Sequence, residues 1–368
     1  MPFDGIRDFL SYLDAENELA RVTKEIDTSS YEVSAILERL QRLRGKAVSF
    51  ENLKNYNGIP MCANILGTFR RISMALETTE ENLAREWSRR RLSNHLVPRH
   101  VSDGPCKESV IREECINLFS YPILKWNPLD VGRYITLGVL VTNDPETGER
   151  NAGIYRLMLQ GKKQLGINML EMKHATFHYK KAEAKGDPLE AAVVIGVDPA
   201  IVLAAATNLK LGEDEIAFAG ALRNEPVKVT SCQTVDIDVP AYSEIVIEGI
   251  IPPKIRAVEG PFGESTGNYG AAHYSPIMQI KTITQREKPI FQATYTGKPP
   301  KEEHFIAQTT TNSCYKSIDG ISQPSISISQ NLWNVYCKLT RRSTVTPIQL
   351  PQKTIDKVKR NWRHYGLD

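Results

Sequence analysis

No apolar run in this sequence approaches the roughly 20 residues that a membrane-spanning helix needs. Cysteine is sparse: six residues, Cys62, Cys106, Cys115, Cys232, Cys314 and Cys337, in 368 positions, with no CxxC pair. That excludes a zinc ribbon and a disulfide-stapled scaffold and points to a reduced, cytoplasmic setting. An excess of one charge is missing too. Lys and Arg number 46 against 43 Asp and Glu, a formal net charge of +3, so the balance selects no nucleic-acid partner. The opening residues, Met1 to Asp8, are polar and acidic and lack the pattern of a secretory leader. No internal repeat is visible. What is present, 41% apolar and 24% charged residues over this length, is the composition of a globular protein of two or three domains.

Residues 1 to about 100 read as a small α/β unit. Phe3, Ile6, Phe9, Leu10 and Leu13 recur at helical spacing, and Leu19 to Ile26 alternates as a strand. Tyr31 to Leu43 and Thr78 to Arg91 read as helices, and Ala47 to Phe50 and Pro60 to Leu66 as strands. Val97 to Pro128 reads as a proline-rich polar linker. From Tyr134 the texture becomes a β meander: Tyr134 to Thr142, Gly153 to Gln160 and Gln164 to Leu170. Further strands follow at Ala191 to Gly196, Val227 to Thr230, Val235 to Val239, Glu244 to Ile251, Ile277 to Gln285 and Pro289 to Thr296. With inserted helices such as Pro199 to Ala206, this block predicts an antiparallel split barrel. The last 60 residues, rich in Ser, Thr, Gln and Asn, are expected to pack poorly. They carry nine bases and three acids, a charge that suits nucleic acid or anionic lipid, but no nucleic-acid-binding motif accompanies it.

The stretch Val258 to Gly267 stands apart. Glu259 and Glu264 flank Gly260, Pro261 and Gly263, so the segment is a stiff bend that can present two carboxylates to one space. Carboxylates in different surroundings can divide base and acid roles. A pair of solvated surface glutamates is the plainer alternative. Arg156 lies inside the apolar run Ile154 to Leu159, and in a strand it shares a face with Ala152 and Ile154. If buried it needs a carboxylate, and Glu259 is available; otherwise it faces water. His174 and His178 are four apart, as zinc ligands on a helix sometimes are, although core or capping histidines are the commoner case. Glu213, Asp214 and Glu215 can cap a helix or bind a hard cation.

Taken together, Gly132 to Thr136, Asn151 to Arg156, Lys173-His174, Glu215 to Ala221, Glu259 to Glu264 and Tyr295 to Pro300 resemble, in order and spacing, the UbiD family of prenylated-FMN-dependent decarboxylases. The resemblance covers residues 1 to about 307. It implies an α+β chain: an N-terminal α/β domain (1–100), a split-barrel flavin-binding catalytic domain (101–307), and a divergent basic tail (308–368) where the family's C-terminal domain is missing or replaced. It implies Arg156, Glu259 and Glu264 as the catalytic set, and Asn151, His174 and Glu215 as ligands of Mn²⁺ or Mg²⁺ on the cofactor phosphate, with K⁺ as a further ion. Thr136, Ile154, Tyr155, Arg156, Asn168, Met169, Leu170, Lys173 and His174 align with positions that contact the flavin.

The activity implied is reversible, non-oxidative decarboxylation of an aromatic or α,β-unsaturated carboxylic acid. The 4-hydroxybenzoate type is favoured by Asn151 to Arg156 and Gln285 to Glu287. A flavin prenyltransferase is implied as cofactor supplier. The family's homo-oligomer is not implied here, because the dimerising domain has no counterpart in the tail. Asn127 stands where many relatives carry histidine. Thr207 to Lys210 replaces a proline-containing turn, and Asn268 stands where relatives often have tyrosine. These departures touch substrate fit. Two alternatives remain: a truncated, non-catalytic flavin-binding remnant, and a carboxylate-pair glycosidase that works without flavin.

Overall fold

The computed structural model describes residues 3–56, 58–315 and 346–367. The chain opens with the helix Ile6–Ala15, whose Ile6, Phe9, Leu10 and Leu13 form one buried stripe at helical spacing. A four-stranded sheet follows: Leu19–Val22 runs parallel to Ala47–Phe50, which pairs antiparallel with Met61–Ala63. Its fourth strand is Phe291–Ala293, which runs parallel to Met61–Ala63. The sequence groups Phe291–Ala293 with the barrel; the fold instead returns it to the N-terminal sheet. The helix Glu32–Arg42 packs beside this sheet and buries Val33, Ile36, Leu37 and Leu40.

The middle of the chain is a closed antiparallel barrel of six strands. Their order is Ile245–Ile251, Leu189–Ile195, Tyr134–Asn143, Arg150–Gly161, Gln164–Ile167 and His273–Gln285. Closure comes from His273–Gln285, which is 13 residues long and pairs with both Gln164–Ile167 and Ile245–Ile251. Alternation explains the two faces. Val139, Val141, Ala192 and Val194 pack with the helices Pro199–Ala205 and Glu215–Arg223. Ile135, Leu140, Leu157, Val193 and Ile247 join the second core cluster.

Two further sequence expectations are corrected. The stretch 97–128 is not a linker. Ser109–Arg112 pairs with the long closing strand, Arg99–His100 pairs with Lys228–Ser231, and Ile116, Leu118, Ile123 and Trp126 are buried. Apolar residues scattered among prolines and polar groups can still fill a core when another part of the chain lies over them.

The tail also differs from expectation. Residues 316–345, including the Ser- and Gln-rich run, lie outside the described residues. Residues 346–367, however, pack well. The helix Gln352–Arg360 lies against Glu32–Arg42. Val358, Trp362, Tyr365 and Leu367 are buried, and Lys357 pairs with the buried Glu32 at 2.8 Å. The Tyr365 hydroxyl donates to the same carboxylate at 2.8 Å, and Arg39 stacks over Trp362 at 4.4 Å. Four apolar side chains suffice because the partner helix completes their enclosure. Trp362→Ala should therefore lower unfolding free energy by about 3 kcal/mol, the usual cost of truncating a buried aromatic. An unchanged urea midpoint would show that the tail carries no stabilising contact.

Candidate functional site

The strand Arg150–Gly161 holds both ends of the site. At its C-terminal half lies Arg156, brought against the bend that follows the strand Arg256–Glu259. Arg156 Nε and Nη2 donate to the two carboxylate oxygens of Glu259 at 2.8 and 2.7 Å, and Nη1 donates to Glu264. The Glu259 side chain is fully buried, that of Arg156 is 11% exposed and that of Glu264 is 38% exposed. Burial opposes the arginine's charge, but the hydrogen bonds to Glu259 and the charges of both glutamates outweigh it and raise its pKa. Glu259 is thus locked in a bidentate pair, while Glu264 reaches open space. Arg156 also lies over the Phe262 ring at 5.0 Å.

Backbone contacts stitch the bend down on one side. The Gly260 N–H donates to the Tyr134 hydroxyl at 3.2 Å, and the Val131 N–H to the Pro261 carbonyl at 3.0 Å. The Gly263 N–H donates to Asp130 at 2.9 Å. Gly260 has φ of +81°, which favours glycine. Gly263 is required for another reason. A Cβ there would lie 2.6 Å from Asn127 Nδ2 and 2.7 Å from Ile348 Cδ1.

At the other end of the strand, Asn151 is buried and its Nδ2 has no hydrogen-bond partner. Nearby, Glu215 opens the helix Glu215–Arg223 and accepts the Ala152 N–H at 2.8 Å. Its other oxygen lies 3.7 Å from Nδ1 of His174, the first residue of the helix His174–Lys185. The first residues of two helices, Glu215 and His174, thus lie next to each other and next to the strand residue that follows Asn151, an arrangement suited to an anion bridged by a cation. Among the described residues no three His, Cys, Asp or Glu side chains converge to hold a metal, so Asn151 would have to serve as the third side chain. His178 does not join His174. It is buried against Thr142 at 3.0 Å, and burial pushes its pKa down to about 4.

The remaining predicted residues lie on the strand Arg150–Gly161 and on the segments beside it. The Tyr155 hydroxyl accepts the Ala175 N–H at 3.2 Å, and Lys173 Nζ sits over the Tyr155 ring at 5.6 Å. Ile154 and Met169 are half-buried against the core clusters, and Leu170 is exposed. The Thr136 hydroxyl is engaged by the backbone of Thr294, donating at 2.6 Å and accepting at 3.1 Å. Asn168 Oδ1 lies 3.1 Å from His273 Nε2, which is also 3.5 Å from Glu259. His273 was not predicted. It faces Glu259 across the strand pair, a register the sequence does not reveal.

A model of the 3-octaprenyl-4-hydroxybenzoate carboxy-lyase Rift-related domain matches residues 99–299, and one of the N-terminal domain of the same carboxy-lyase matches residues 10–91. The chain belongs to the UbiD family. An uncharacterised protein of Archaeoglobus fulgidus is 40% identical over 330 residues, covering 84% of this chain and 67% of that one. A second, from Synechocystis, is 35% identical, covering 82% of this chain and 64% of its own length. The chain thus spans about two thirds of the curated relatives it matches.

Among solved UbiD-class structures, an evolved dimeric form of HmfF from Pelotomaculum thermopropionicum, in complex with prFMN, superposes with a TM-score of 0.80 at 34% identity. That match covers 84% of this chain and 71% of HmfF. The vanillic acid decarboxylase of Sedimentibacter hydroxybenzoicus gives 0.82 at 32% identity, covering 85% of this chain and 68% of that one.

One further buried carboxylate, Glu303, feels the charge of Glu264. Glu303 accepts the Gly297 N–H at 3.1 Å. Burial pushes its pKa up to about 8, against the stabilising Gly297 N–H and helped by the charge of Glu264. The ionised form is then disfavoured in the fold relative to the unfolded chain. Stability should fall as pH rises from the ordinary value of 4.5 toward 8, and Glu303→Gln should flatten that decline in a urea series. Parallel curves for the two proteins would remove Glu303 as the cause.

Proposed function

We propose that this chain catalyses the reversible, non-oxidative decarboxylation of an aromatic or α,β-unsaturated carboxylic acid with prenylated FMN, the 4-hydroxybenzoate type being favoured. The observation that carries this reading is one arginine shared by a buried and an exposed glutamate. A glycosidase needs an open gap between its two carboxylates; here Arg156 occupies it.

The residues present fit the cofactor. Asn151, His174 and Glu215 would hold Mn²⁺ or Mg²⁺ against its phosphate, since the orphaned buried amide and the two helix N-termini call for such a partner. K⁺ would be an additional counter-ion near the phosphate. Asn151 and Arg156 lie five residues apart on one strand, roughly 17 Å along it. Ile154, Tyr155, Asn168, Met169, Leu170 and Lys173 line the wall between those ends, and Thr136 orders it through Thr294. When bound, the prenylated flavin supplies the electron sink for the pair left by departing CO₂.

The chain's own residues supply the rest. Glu259 holds Arg156 bidentate, so the guanidinium cannot rotate. A substrate carboxylate competes with Glu264 for Nη1 and takes its place. Displaced from Arg156, the partly exposed Glu264 takes up a proton from solvent; as the carbon–carboxyl bond breaks, CO₂ leaves, and Glu264 delivers that proton to form the new C–H bond. In the carboxylation direction it takes that proton back. His273 borders Glu259 and helps fix its orientation.

The test is expression together with a flavin prenyltransferase, followed by flavin absorbance and a CO₂-release screen over carboxylic acids. Bound flavin without turnover would favour the non-catalytic alternative. Glu264→Gln should keep flavin but lose activity by about 10²–10⁴-fold, as loss of a general acid does; more than about a tenth retained would contradict the role. Glu215→Ala should lose metal and flavin together, because the carboxylate neutralises the cation that neutralises the phosphate. A full flavin complement in that variant would remove Glu215 from the metal site.

A further inference from the structure

The C-terminal segment returns to the bend that carries Glu264. The Tyr269 N–H donates to the Thr346 carbonyl at 2.9 Å, and the Ile348 N–H donates to the Gly267 carbonyl at 2.9 Å. Asn268 and Pro347 face each other in an antiparallel bridge. Residues 346–348 thus add a strand to the hairpin formed by Phe262–Gly263 and Tyr269–Gly270. A two-stranded hairpin this short is marginal alone.

Ile348 is the side chain that joins this strand to the bend. Its Cδ1 lies 2.7 Å from where a Cβ on Gly263 would stand, and 3.9 Å from the same point on Gly297. It is half-buried, filling the flank that two glycines leave empty beside Glu264. Upstream of Glu264, the bend is held by Asp130, Tyr134 and Val131. Downstream, the Glu264 N–H donates to the Asn268 carbonyl at 2.8 Å, and Ser265 is held through its carbonyl by His304 at 3.0 Å. Residues 267–269 are held by the Leu129 N–H, which donates to the Tyr269 hydroxyl at 3.2 Å, and by the C-terminal strand. That strand is anchored by the Gln352–Arg360 helix and the buried residues Val358, Trp362 and Tyr365.

We propose that Ile348 is a positioning residue for Glu264: its contact with Gly263, and the pairing of its strand with Gly267 to Tyr269, hold the carboxylate at the distance proton delivery needs. The proposal rests on the reading of Glu264 given above.

The test uses the full chain loaded with flavin, as Ile348→Gly and Ile348→Val. The glycine variant should speed amide exchange in peptides spanning 262–270 by about ten-fold or more, leaving the barrel strand Ile245–Ile251 unchanged as the control for folding. Its kcat should fall by roughly 10²-fold, the effect of a misplacement of about 1 Å, with KM and flavin content held within about two-fold. Valine, which lacks Cδ1 but keeps the Cγ1 that stands 3.2 Å from the same point on Gly263, should restore most of both. Unchanged exchange in the glycine variant overturns the proposal, as does a loss that falls on KM or that valine does not restore. If the wild-type chain releases no CO₂ from any acid, the functional reading fails; the exchange result still decides whether Ile348 holds this hairpin.

Discussion

The structure around the site depends on one buried ion pair. Glu259 is removed from water, and a carboxylate there is tolerable only with a partner of fixed geometry. Arg156 supplies it through two parallel hydrogen bonds, which fix the angle between a barrel strand and the bend as well as the charge. The third N–H direction then points to Glu264. Tyr134, Asp130 and Val131 all act on the bend, and their effect is to keep that third direction occupied by a group that can exchange.

The same strand makes the pair possible. Arg150–Gly161 is flanked by Tyr134–Asn143 and Gln164–Ile167, so its position is set by hydrogen bonds on both edges. A guanidinium projecting from a central barrel strand has little freedom, which is what a bidentate pair of fixed geometry requires. The Asn151 end is looser in composition. Its donors come from one strand and two helix N-termini, and an amide left without a partner marks the place where the fold alone does not complete the hydrogen bonding.

The C-terminal residues add a second level of order. Glu32, buried in a helix of the first sheet layer, gathers Lys357 and Tyr365. That anchorage sends residues 346–350 back over the Glu264 hairpin. Part of the tail that was expected to pack poorly therefore touches the bend that carries Glu264. Sparse apolar residues were a poor guide because each one docks on a surface supplied by other elements.

The sequence by itself determined the secondary-structure periods and where most strands lie, but not which of them close the barrel: Phe291–Ala293 joins the first sheet, and Lys228–Ser231 and Asp238–Pro240 form a small sheet of their own with Arg99–His100. It also determined the glycine–proline bend with its two glutamates, and that Arg156, if buried, would need a carboxylate, because these rest on local spacing and on the cost of burying charge. Only the tertiary structure decided that the partner is Glu259 with Glu264 as a second, that His273 stands beside Glu259, and that His178 turns to Thr142 instead of joining His174. Tertiary structure likewise returned Phe291–Ala293 to the first sheet and laid Ile348 on Gly263. The reason is physical: a local pattern sets which face of an element avoids water, but the group that meets that face comes from a hundred residues away, chosen by closure of the barrel and the register of its strands.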